Sequence, residues 1–145
     1  PPGLTIPNVN ASRLEIAMTA EDHDRPYLHS RIREEIDRAR RYGHPFSILV
    51  LEAHPAADGL PIRKKVDMVI ERVCAGLRPS DIVARAFDDT VVVLLVETDA
   101  TGARDALFRL RNRLFNAGKA SWSIASFTYP RDEDAIGALP VFTAA

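Results

Sequence analysis

Arg78 and Asp81 bracket a short turn, Arg78-Pro79-Ser80-Asp81, and are the side chains best suited to recognition chemistry. A guanidinium donates paired hydrogen bonds to phosphate or to a flat acceptor edge and stacks on planar rings. A carboxylate accepts paired N–H groups from the edge of a heterocycle. Pro79 fixes one φ and biases Arg78 away from helix, so the turn should be stiff and present both side chains, exposed, from one segment. The same two residues would equally form a local ion pair across a helix-to-strand turn. The histidines, His23, His29, His44 and His54, have no metal-ligand spacing, and His54 with Asp58 near Glu52 is too loose a set to define a centre. No metal site and no cofactor follow from the sequence.

The elements around this turn are legible from periodicity. Leu28, Ile32, Ile36 and Ala39 recur at helical spacing over 27–41, with Glu34–Arg38 and Asp37–Arg41 at i,i+4, and Gly43 ends the helix. Residues 46–53 (FSILVLEA) are a near-continuous apolar run, as in a strand covered on both faces. Ile62, Val66, Val69, Ile70, Val73 and Leu77 stripe a second helix, with Cys74 beside the stripe as a packed thiol. Ile82–Phe87 and a run from Val91 form a hairpin about Asp88-Asp89. Asp99 caps a third helix to about Phe115, with Ala103, Ala106, Leu107, Leu110 and Leu114 inward. Residues 120–129 alternate as a strand, and a final helix from Asp134 is cut short by Pro140. The fold class is α/β (α+β): a central, mostly antiparallel sheet covered by helices.

At 145 residues the chain is about one domain long, with 46% hydrophobic and 27% charged residues. A net charge of −1 gives no field for nucleic acid, and no apolar run is long enough to span a membrane. The single cysteine cannot form an internal disulfide, so cytoplasm is the default compartment. Residues 1–24 read as a linker or irregular lead-in, rich in proline, and 25–145 as the domain.

The central stretch from Arg78 to Glu97 resembles the hairpin of diguanylate cyclase (GGDEF) domains, and RARRYGHP (38–45) is similar to their entry helix. The resemblance implies a nucleotidyl-cyclase-like sandwich, an Arg-x-x-Asp that binds cyclic di-GMP as an inhibitor, and a further arginine from the next helix, here Arg109. Arg85, on the strand itself, is a weaker candidate. The catalytic pattern is overwritten. Metal-assisted synthesis of cyclic di-GMP requires carboxylates and a glycine turn that lets backbone amides approach phosphate. Glu52 and Asp89 stand at two of the acidic positions and could hold a cation, but Phe87 and Asp88 replace the glycine pair and Thr90 the second signature carboxylate. AHPAADGLPIRKK (53–65) replaces the guanine-reading run, Arg63 stands where a guanine-reading aspartate would be, the hairpin before the last strand shrinks to 116–119, and the final helix is short or missing.

The expectation is therefore a degenerate, catalytically inactive GGDEF-like signalling domain with no catalytic residues. It would bind cyclic di-GMP through Arg78, Asp81, Arg109 and Arg85, as a homodimer or ligand-mediated dimer that serves other signalling proteins. The alternatives are a dimerisation or protein-interaction module that binds no nucleotide, and a residual enzyme built on Glu52 and Asp89.

Overall fold

The computed structural model describes residues 25–55, 59–115 and 121–139. The expected lead-in, the loop at 116–119, His23, Asp58 and Pro140 lie outside the described residues. The elements are α1 (Arg25–Tyr42), β1 (Phe46–His54), α2 (Ile62–Ala75), β2 (Ile82–Phe87), β3 (Thr90–Leu95), α3 (Ala100–Phe115), β4 (Ser121–Tyr129) and α4 (Glu133–Gly137). Among the described residues each expected helix and strand forms, with ends within a few residues of the sequence reading. No helix among the described residues is long and apolar enough to cross a membrane.

The sheet order is β2-β3-β1-β4 and every pairing is antiparallel. β1 is central, with Leu49 opposite Val93 on one side and Ser126 on the other. β2 and β3 form the hairpin around Asp88-Asp89, with a register shift between Arg85 and Phe87. Period-two alternation sends Leu49, Leu51, Val83, Val91, Val93 and Leu95 to one face, against α2 (Val66, Ile70, Val73) and α3 (Ala103, Leu110). Ile48, Ala84, Val92 and Leu94 go to the other face, against Leu28 and Ile32 of α1 and Ile136 of α4. Apolar burial on both sides explains why β1 and β3 read as continuous hydrophobic runs.

Local chemistry sets the ends of the elements. Gly43, at φ 76, donates its N–H to Ala39 O at 2.8 Å and closes α1 in the left-handed conformation that glycine tolerates. Asp99 caps α3 as its sequence position foretold: Oδ1 accepts the Gly102 N–H at 2.8 Å and the backbone O accepts the Ala103 N–H at 2.8 Å. Ser47 Oγ, fully buried, donates to Thr98 O and pairs with Thr128 Oγ1, both at 2.8 Å, and so ties the approach to α3 onto β1 and β4. The expected Glu34–Arg38 pair does not form. Glu34 pairs with Arg31 at 2.8 Å, and Arg38 lies between Glu35 and Glu97.

Arg85 departs from its expected role. It alternates with Val83 toward the α2 face, is 1% exposed, and pairs through Nη2 with Asp67 of α2. Its Nε and Nη1 are buried without a partner among the described residues. Arg63, one turn before Asp67, pairs with Asp88 at 3.3 Å, so two ion pairs fasten α2 to the hairpin. Breaking a buried pair from one side leaves an uncompensated charge, whereas an apolar replacement of similar length removes the desolvation penalty. In urea unfolding, Asp67→Ala should therefore lower stability by about 3 kcal/mol and Arg85→Met should be near neutral or stabilising; the reverse order would contradict this account of the pair.

Candidate functional site

α2 ends at Ala75, and the chain passes through Gly76 and Leu77 into the Arg78–Asp81 turn, closed by the Asp81 N–H to Arg78 O at 3.0 Å. Asp81 is not exposed as expected; it is 3% exposed. Its Oδ2 accepts the Arg78 backbone N–H (3.1 Å) and Nε–H (3.2 Å). Its Oδ1 accepts Arg78 Nη2–H (3.1 Å) and the Val96 backbone N–H (3.3 Å). Arg78 Nη2 also donates to Val96 O (2.6 Å) and Thr98 Oγ1 (2.8 Å). The pair therefore binds the start of β2 to the β3–α3 connection, where Glu97 takes φ 50. The reason for the burial is local. Pro79 and Ser80 turn the chain back so that arginine and carboxylate meet, and a carboxylate held there shields itself with charge-assisted donors.

The Arg78 side chain is 55% exposed and remains on the wall of a cleft of about 410 Å³. This cleft brings together Arg78, Asp81 and Arg109 and leaves Arg85 outside. Gly76 and Leu77, just past α2, and the 78–81 turn form one wall and α3 the other, with Leu95 and Ala106 among its lining residues. Three lining side chains went unnoticed in the sequence: Asp105, Arg113 and Thr98. Asp105, Arg109 and Arg113 follow one another at i,i+4 on α3, which puts them on one face of the helix and could have revealed them. Among the described residues, Arg109 and Arg113 make no side-chain ion pair, in contrast to Arg78. The cleft thus offers guanidinium donors, an acidic acceptor and an apolar floor, a set suited to a phosphorylated, flat-ringed ligand.

Glu52 and Asp89 line a second cleft of about 320 Å³, together with Val50, Phe87, Thr90 and Leu139. It lies on the opposite sheet face and at the other end of β3. Asp89 Oδ1 accepts the Thr90 hydroxyl at 2.9 Å, and Arg25 of α1 lies 4.6 Å from the Phe87 ring centre while donating to Ala86 O. Among the described residues no group of three or more His, Cys, Asp and Glu side chains is placed to hold a metal ion. Phe87 and Asp88 occupy the positions where the resemblance calls for a glycine turn.

No family model and no curated protein matches the chain. Solved structures do. A DGC protein from Thermotoga maritima is similar at 24% identity and TM-score 0.68, over 77% of this chain and 88% of that one. A microbial GGDEF domain described in its interaction with bis-(3′,5′)-cyclic di-GMP is similar at 20% identity and TM-score 0.60, over 78% of each chain. The GGDEF domain of TpbB (YfiN) from Pseudomonas aeruginosa is similar at 20% identity and TM-score 0.56, over 73% of this chain and 70% of that one. The chain has the GGDEF fold.

Asp81→Asn places an amide donor against the donors that surround the carboxylate, and should lower unfolding stability by about 2 kcal/mol. Arg109→Ala, which loses no internal partner, should stay within about 0.5 kcal/mol of the wild type. Equal stability of Asp81→Asn and the wild type would show that the buried carboxylate does not hold the cleft together.

Proposed function

We propose that this domain is a receptor for cyclic di-GMP that performs no chemistry, a reader module within a cytoplasmic signalling protein. The observation that carries the reading is the convergence of the Arg78–Asp81 turn and Arg109 of α3, from separate elements, on one cleft. In support, a domain of the same fold interacts with cyclic di-GMP. In this reading the arginines take phosphate and the edges and faces of guanine, and Asp81 acts by orienting Arg78. One cleft reaches only part of a ligand with two guanines and two phosphates. The bound state is therefore a stacked pair of ligands or a ligand-bridged pair of domains.

The absence of synthesis belongs to the same proposal. Without the glycine turn no backbone cradle forms for phosphate. Thr90 supplies no charge for a metal, and Arg63, where guanine would be read, is paired with Asp88. A second reading, an interaction module that binds no nucleotide, has one observation in its favour. The Arg78–Asp81 pair is satisfied internally and has a structural role without any ligand.

Calorimetry separates the two. The wild type should bind cyclic di-GMP, and Arg109→Ala should weaken binding by at least about tenfold, the effect of truncating a charged partner at a site. No heat at high micromolar ligand would favour the interaction module. Incubated with GTP and magnesium or manganese, the purified domain should yield no cyclic di-GMP; turnover abolished by Asp89→Ala would overturn the inactive reading.

A further inference from the structure

Arg113 shares the cleft with Arg78 and Arg109, but its position has a cause of its own. It packs against Gly76, the residue that caps the C-terminus of α2. A Cβ at Gly76 would stand 3.1 Å from Arg113 Nε, 3.4 Å from Cζ and 3.6 Å from Cδ. Gly76 has φ −103 and ψ 3, a conformation open to residues with side chains, so what the glycine provides here is space and not backbone freedom. The guanidinium rests against the C-terminal end of α2, where the helix dipole favours a cation. A long, exposed arginine is thereby held at the cleft wall, which lowers the ordering cost of using it.

The electrostatics of the cleft make this arginine the informative one. Arg78 is neutralised by the buried Asp81. Asp105 stands one turn before Arg109 on the same face and offsets part of its charge. Arg113 is the lining cation with no such carboxylate one turn away in the cleft.

We propose that Arg113, seated on Gly76, is a further ligand-contacting residue of this cleft, and that Arg109 and Arg113 together take a phosphate of the dinucleotide. Gly76 is then a positioning residue that acts through Arg113. This rests on the reading of the cleft as a cyclic di-GMP site.

A double-mutant cycle tests it, with cyclic di-GMP titrated into the wild type, Arg113→Ala, Gly76→Ala and the double variant. Arg113→Ala should weaken binding about tenfold and flatten its salt dependence, as expected for a lost phosphate contact. Gly76→Ala should weaken binding about threefold when Arg113 is present and have no effect in the Arg113→Ala background, because its effect passes through that side chain. Arg113→Gln, which keeps hydrogen-bond donors without the charge, should fall with Arg113→Ala. Wild-type affinity in Arg113→Ala, with Arg109→Ala still impaired, would overturn this inference and leave the receptor reading standing. An equal Gly76→Ala effect in both backgrounds would overturn the seat. No binding by the wild type would overturn the receptor reading and this inference with it.

Discussion

Asp81 buries a carboxylate between the α2–β2 turn and the β3–α3 connection, and such a group must be surrounded by donors. The backbone and guanidinium of Arg78 and the backbone of Val96 supply them. That single cluster ties the turn before β2 to the connection that leads into α3. The cleft lies between the chain that follows α2 and the face of α3 at this end of the sheet, while Val73 and Leu110 belong to one packed core on the same face. A turn that first suggests an exposed recognition motif is thus a structural clamp.

The two clefts divide the chemistry of the domain. One lies at the Leu95 end of β3 on the α2/α3 face and is rich in guanidinium groups. The other lies at the Thr90 end on the α1/α4 face and combines two carboxylates with apolar walls. The charges of the first favour an anion, and Glu52 and Asp89 disfavour one at the second. Arg25 is drawn to the second cleft, but it is engaged with the Phe87 ring and Ala86 O.

Much of the fold was legible because its elements are strongly periodic. The stripes of α1, α2 and α3, the two apolar strands and the Asp99 cap follow from local patterns that the tertiary structure does not override. The meeting of Arg78 with Arg109 came from family resemblance, since no local pattern predicts which helix face lies across from a turn. Arg85 was misplaced because β2 is covered on both faces, and alternation then says which face a residue takes but not whether it reaches solvent. The burial of Asp81 was hidden for a related reason: exposure was inferred from the turn, while the donor that completes the site comes from Val96. Arg113 was open to discovery through its i,i+4 spacing from Arg109, but its seat was not, because Gly76 lies past the end of another helix.

Chemical-shift mapping of the isotope-labelled domain with cyclic di-GMP tests the central claim most directly. The account predicts shifts concentrated at Gly76–Asp81, at Val96–Thr98 and along α3 from Gly102 to Arg113, with the hairpin turn unmoved. Shifts centred on Glu52 and Phe87–Thr90, or no shifts at saturating ligand, would contradict it.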